Sequence, residues 1–415
     1  MTTFAESLGF KKGAILPFAA APYSLNLLSS SHPLSTKLEA SLGTNVNANF
    51  SGHYPDHALI DVPFSIMLLA PNDAGPHVYA GWKDTQMNFS ASLLKPGVMY
   101  AAFELLAAAN RIAAAHPIPN GTQDTQRQFL SDRMNDAFAK HLERYPFDDT
   151  LSKLTPNCPQ YTKIFKVNAT VPFVAFDDTV NFGTTAETGF EANLKKMITH
   201  SGNPAAAACI DALGFTYINC ALAAGGFFTA LPSHDTGHGI WISGDYALLE
   251  ARLVRTEHDG MGKLCMDTST MCRLFALIEF GQLVDAASSA TMHDWLAQTL
   301  ANDVPWIITD DHDHEMTLHA FDVLRNKLGV DQLGRPATAT RPSTLGQNVF
   351  SECSVLGWKI EGPPATSTLT QLINKGFSTK VIVCWQNWQE DQMHTFHGVR
   401  EVVRQTVREF AAGNP

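Results

Sequence analysis

The chain of 415 residues carries 29 basic and 40 acidic side chains, a net charge of −11, with 45 % apolar and 17 % charged residues. Ordinary soluble proteins carry about 25 % charged residues, so this balance excludes a disordered chain and implies a large enclosed core. The acidic excess and the lack of a Lys/Arg-rich run argue against nucleic acid or an anionic membrane as partner. No apolar stretch approaches the roughly 18 residues of a membrane span.

Lys11 and Lys12 precede a short apolar run, 13–21, that loosely imitates a signal peptide and is interrupted by Pro17. A cytoplasmic location is expected, with export as the alternative. The seven cysteines (Cys158, Cys209, Cys220, Cys265, Cys272, Cys353 and Cys384) are odd in number, and no C-x-x-C occurs. Neither a zinc ribbon nor a disulfide framework is indicated, so free and mostly buried thiols are expected.

In chain order, residues 1–54 give no clear pattern. Short apolar runs at 58–62, 64–69 and 77–80, bounded by Pro and Gly, predict strands and hairpins. The texture changes at Ser92. Residues 93–115, rich in Ala, Leu and Met, predict a helix of about six turns, and helical patterns follow at 124–145, 186–200, 203–213, 216–224, 268–281 and 287–300. A charged loop near Asp310 leads to a predicted helix at 315–326. Strand-like segments follow at 351–358 and 379–388, then an amphipathic helix at 395–411 with Val399, Val402, Val403, Val407 and Phe410 on one side. Sheet elements at both ends must meet in space. The expected organisation is an α/β domain from 55–91 and 301–415, with an all-α domain, 92–300, inserted.

Ser92-Leu-Leu-Lys95 is the only S-x-x-K of the chain. It falls where strands give way to a helix, and its i, i+3 spacing puts both side chains on one helical face. Lys95 is thereby a candidate base for the Ser92 hydroxyl, provided burial lowers its pKa. The helix N-terminus favours negative charge on an attacked carbonyl oxygen. Two further motifs follow in order, Ser201-Gly-Asn203 between two helical patterns and Lys327-Leu-Gly329 before the last strands.

This ordered set, S-x-x-K, S-x-N and K-x-G, resembles the signature of the serine β-lactamase and penicillin-binding-protein superfamily, closest in layout to class A β-lactamases. The resemblance spans roughly residues 55–415 and implies a β-lactamase/transpeptidase-like fold, an antiparallel sheet flanked by helices. It implies a serine acyl-enzyme hydrolase or acyltransferase acting on an amide, lactam or ester of a small molecule, without metal or organic cofactor. Ser92 is then the nucleophile, Lys95 its base, and Ser201 the proton relay. Lys327 supplies positive charge and Asn203 holds the acyl side chain. The backbone N–H groups of Ser92 and Val330, just past Gly329, form the oxyanion hole. Tyr217-Ile-Asn219 competes for the middle motif, with Tyr217 as an alternative proton carrier.

Two departures stand out. The middle residue of K-x-G, normally a hydroxyl that holds a substrate carboxylate, is Leu328, which favours an esterase or transacylase on a neutral metabolite as an alternative. A non-catalytic binding protein of the same fold is a third reading. No E-x-x-L-N pattern lies between Asn203 and Thr268 to activate a deacylating water. Asp235, Asp245, Glu250 and Glu257 in that interval read as solvated loop carboxylates, and His234, Asp235 and His238 as a loose group in a Gly-rich loop. The run 310–315, Asp-Asp-His-Asp-His-Glu, reads as a helix-capping loop rather than a metal site, because adjacent ligands rarely share a face.

Overall fold

The computed structural model describes residues 22–50, 62–72, 75–142, 158–168, 173–178, 189–230, 237–242, 254–256, 260–262, 264–308, 320–331, 349–360, 363, 367–387 and 392–413. Its main sheet has five antiparallel strands: β1 (Phe64–Leu68), β2 (Val78–Trp82), β3 (Phe321–Asp331), β4 (Val349–Trp358) and β5 (Lys380–Asn387). They lie in the order β3-β4-β5-β1-β2, so the two ends of the chain do meet, at the β1–β5 pair, and β3 forms an edge.

The pleat of these strands separates two cores. Phe64, Ile66, Leu68, Val381, Val383 and Trp385 face one side, and Met67, Ile382, Cys384, Cys353 and Val355 the other. On the first side, the helix α1 (Pro33–Phe50) buries Leu38, Leu42, Val46 and Phe50 beside Val399, Val402, Val403, Val407 and Phe410 of the C-terminal helix (Gln392–Ala412). That valine face matches its prediction. Helix α1 is a helical element within the segment that gave no pattern.

The second side carries the helices α2 (Lys95–Ala115), α3 (Gln123–Leu142), α4 (Phe190–Thr199), α5 (Asn203–Leu213), α6 (Phe215–Ala224), α7 (Thr268–Glu279) and α8 (Ala286–Gln298). A 3₁₀ turn, Ala91–Leu94, precedes α2, and Pro96 fits its first turn because that N–H needs no intrahelical partner. The helix stops at His116, which is extended (φ −130°, ψ 89°) ahead of Pro117 as the proline ring requires. Asp267 caps α7 by accepting from Thr270 N–H at 2.6 Å, and Asp285 caps α8 by accepting from Ser288 N–H at 2.8 Å.

Three expectations are corrected. Residues 92–300 are not all helical. Leu264–Met266, Gly237–Ile242 and Phe228–Ala230 form a small sheet with Asn88–Phe89, and Phe165–Asn168 pairs with Phe173–Phe176. Residues 321–326 are strand, not helix. A register shift between Val323 and Arg325 breaks the period-2 alternation, so Phe321, Leu324 and Leu328 mimic helical spacing. Finally, residues 91–115 are long and apolar enough to cross a bilayer, but 67 % of the apolar window is buried within the fold, as suits a central core helix. All seven cysteines are free and all but Cys158 are buried.

Candidate active site

Ser92 lies in the 3₁₀ turn Ala91–Leu94, wedged against the edge strand β3. The turn enters through Ala91 in a left-handed conformation (φ 48°), which favours glycine. Three side chains pin it. Gln386 of β5 donates to Ser90 Oγ, Ser90 Oγ donates to Asn88 O at 3.1 Å, and Ser351 Oγ of β4 donates to Ser90 O at 2.9 Å. Gly329, Ser351 and Gln386 are cross-strand neighbours in one row, so three adjacent strands press on the turn together.

Lys95 opens α2 and is buried, whereas Ser92 is half-buried. Its Nζ lies 2.9 Å from Ser92 Oγ, 2.5 Å from Ser201 O and 2.8 Å from Asn203 Oδ1. Burial, helped by the nearby charge of Lys327 and opposed by Asp303, lowers Lys95 to about 6. The amine is therefore mostly neutral at pH about 7. Its two N–H bonds then suit Ser201 O and Asn203 Oδ1, leaving the lone pair for the Ser92 hydroxyl to donate into.

Ser201 follows α4 in a left-handed conformation (φ 53°), and Gly202 N–H closes the turn onto Lys196 O at 3.4 Å. Ala91 and Ser201 are two of four non-glycine residues with positive φ among those described, so strain of about 1 kcal/mol each is concentrated at this site. The conformation holds Ser201 Oγ between two lysines, 2.9 Å from Lys327 Nζ and 3.4 Å from Lys95 Nζ. Lys327 also donates to Ile198 O at 3.0 Å. Burial lowers it to about 8, against the pull of Asp303, so near neutrality it keeps its charge.

Ser92, Lys95, Ser201, Asn203 and Lys327, read from three separate motifs, thus form one hydrogen-bonded group. Gly329 lies on β3 against Ser90 and Leu93, and the backbone of Val330 follows it. Leu328 points across the pleat from Lys327, in a row with Glu352 and Trp385, outside the hydrogen-bonded group. Tyr217 is fully buried in the core, donating to Ala101 O at 3.1 Å. Its neighbour Asn219 ties α6 to Ile242 through both main-chain groups, so Tyr217-Ile-Asn219 is structural in its contacts.

His238 is exposed with Nδ1 3.0 Å from Thr85 O. His234, Asp235, Asp245, Glu250, Glu257 and the run 310–315 lie outside the described residues, as does the segment 13–21. Among the described residues, no group of three or more His, Cys, Asp or Glu could hold a metal ion. Sequence reasoning missed Ser90, Ser351, Gln386 and Asp303, which carry no motif.

A bell-shaped pH dependence of acylation is expected from these charges. The rate of Ser92 modification should rise as Lys95 loses its proton through about 6, and fall as Lys327 loses its own through about 8. First-order labelling rates across that range check it, and a flat profile would contradict the roles of both lysines.

No family model matches the sequence, and no curated protein matches it. Solved structures that the chain matches include β-lactamases. That from Sphaerobacter thermophilus is 12 % identical with a TM-score of 0.40, covering 88 % of this chain and 95 % of its own. A class A β-lactamase from Bacteroides cellulosilyticus is 9 % identical with a TM-score of 0.43, covering 91 % and 99 %. One from Chitinophaga pinensis is 11 % identical, again with a TM-score of 0.43, covering 90 % and 98 %.

Proposed function

We propose that the chain is a serine acyl-enzyme hydrolase or acyltransferase acting on a small amide, lactam or ester. The observation that carries this reading is the buried Lys95 amine 2.9 Å from Ser92 Oγ, with Ser201 O and Asn203 Oδ1 on its remaining sides. In the first step the Ser92 proton passes to Lys95 as Oγ adds to the acyl carbonyl. The developing oxyanion is held by the N–H groups of Ser92 and Val330, each such donor being worth about 3 kcal/mol of barrier. As the tetrahedral adduct collapses, Ser201 gives its hydroxyl proton to the leaving group and regains one from Lys95. Lys327, hydrogen-bonded to Ser201 Oγ, keeps that relay in a positive field. The scheme uses no metal or organic cofactor.

A fold retained without turnover is the less favoured reading. A binding scaffold gains nothing from burying a lysine whose charge the site disfavours, whereas a base needs one.

The deciding experiment is peptide mapping after reaction with a fluorescent fluorophosphonate. The adduct is expected on Ser92 and is expected to vanish in Ser92→Ala. Labelling that persists undiminished in that variant would overturn the mechanism.

A further inference from the structure

Strand β3 changes face partway along its length. Phe321 and Val323 pack with the core on the first side of the sheet, as alternation allows. Leu324 packs with the core on the second side, and Arg325 points the same way, opposite Val355. Two successive residues on one face make a β-bulge, at the register shift between Val323 and Arg325. From there Arg325, Lys327 and Gly329 all point to the second side, where the site lies.

Without the extra residue, the pairing of Phe321 with Trp358 and Val323 with Leu356 would run on to match Asn326 with Cys353, Lys327 with Glu352 and Leu328 with Ser351. Lys327 would then face the first side, out of reach of Ser201. Leu328 would fill the place of Gly329, where even a Cβ lies within 3.0 Å of Ser90 O. The bulge therefore decides whether Lys327-Leu-Gly329 meets the site at all.

A buried carboxylate holds the bulge. Glu279, the last residue of α7, has a side chain only 2 % exposed. Arg325 donates to its Oε2 at 2.7 Å, and Lys380, the first residue of β5, donates to its Oε1. His293 Nε2 of α8 lies 3.6 Å from Oε2. A bulge-free strand would turn Arg325 into the apolar core of the first side and take it from Glu279, and breaking a buried pair in this way is strongly destabilising. Two neighbours complete the bulge. Leu324 covers Gly357 of β4, where a Cβ would lie 3.2 Å from Leu324 Cδ1, and Thr299 Oγ1 donates to Asn326 Oδ1 at 2.8 Å.

We infer that Glu279 is a positioning residue for the acylation of Ser92, acting through Arg325 and the β3 bulge to set Lys327 and Gly329 on the site face. The inference rests on the acyl-enzyme reading above.

Rates of Ser92 labelling by the fluorescent fluorophosphonate, measured across the pH range that titrates both lysines, test it in five variants, with urea midpoints recorded for each. Glu279→Gln and Arg325→Met should each slow labelling by about tenfold to a hundredfold. Combining them should add little to either alone, because both break one link. Both should also lose the fall in rate through about 8 that belongs to Lys327. Arg325→Lys, which keeps the charge, should restore most of the rate. Lys380→Met strips a cation from the same carboxylate without touching β3, so it should lower the urea midpoint and leave rate and profile as in the wild type. A folded Glu279→Gln protein with a lowered midpoint and wild-type labelling would reduce Glu279 to a structural role and overturn the inference. So would a Lys380→Met protein slowed as much as Arg325→Met. If Glu279→Gln does not fold, the two Arg325 variants decide, and equal slowing in both counts against the inference. A wild type that takes no fluorophosphonate on Ser92 would overturn the acyl-enzyme reading itself and this inference with it.

Discussion

Lys95→Met is expected to slow acylation of Ser92 by about three to four powers of ten, the scale of losing a positioned general base, and at the same time to stabilise the fold. The second effect follows from the direction of the Lys95 shift. Burial moves the amine from 10.5 down to about 6, so over that window the unfolded chain holds a proton that the folded chain has released. Stability then rises with pH across the window, by about 1.4 kcal/mol per unit for one such group. Near neutrality, the native chain therefore carries a penalty of several kcal/mol that methionine, of similar length and without charge, does not. The hydrogen bonds to Ser201 O and Asn203 Oδ1 are lost in exchange, at about 1 kcal/mol each, leaving a net gain of about 2 kcal/mol. Urea unfolding of both proteins at several pH values measures it. The advantage of the variant should be largest in acid and fade toward the ordinary lysine range. A variant less stable than the wild type at about pH 6, or a gap independent of pH, would show that the amine is not buried as a neutral base.

The opposing signs make a general point about this site. If Lys95→Met stabilises the fold while removing activity, the proposed site stores free energy for chemistry, beside the backbone strain at Ala91 and Ser201. A chain selected only to fold would place a hydrophobic residue at Lys95 and a glycine at each left-handed turn.

What the sequence made legible was decided by how local the physics is. Ser92 and Lys95 sit one helical turn apart, and Ser201 and Asn203 sit at one helix-to-helix turn, so short motifs encode most of their geometry. Lys327 was legible because a strand fixes its neighbour Gly329 two residues away. Tyr217-Ile-Asn219 was the weaker alternative for the middle motif, because it lacks the helix-to-helix turn that holds Ser201. Its buried, structural character shows in contacts to Ala101 and Ile242, which lie on other elements and leave no local trace. Ser351 and Gln386 act through a cross-strand row, and Asp303 through a loop anchored at both ends, so neither has a spacing to recognise. The part of the predicted helix at 321–326 was misread for a definite cause, the register shift of β3, which gave a strand the spacing of a helix. Helix α1 escaped because its apolar residues are few and become a face only when the C-terminal helix covers them.

Gly329→Ala is expected to cost about 3 kcal/mol of stability, the upper part of the range for forcing a methyl group into packed structure, and to cut Ser92 labelling severely. A Cβ at Gly329 would lie within 3.0 Å of Ser90 O, Leu93 N and Ser351 Oγ together. The first two are backbone atoms of the turn that carries Ser92, so no side-chain rotation relieves them. The third is the hydroxyl that donates to Ser90 O, so turning it away breaks one of the pins on that turn. The remaining relief is to part β3 from the turn. That motion carries Lys327, two residues away on the same strand, off the 2.9 Å contact with Ser201 Oγ. Stability and chemistry therefore fall together here, the reverse of Lys95→Met. Gly376→Ala supplies the contrast. Its φ of +84° is strained for alanine but nothing lies within 4 Å of the added methyl, so a loss of about 1 kcal/mol with labelling retained is expected. Urea midpoints and fluorophosphonate labelling rates for the two variants separate the cases. A Gly329→Ala protein that matches the wild type in both would show that β3 does not press against the turn that carries Ser92.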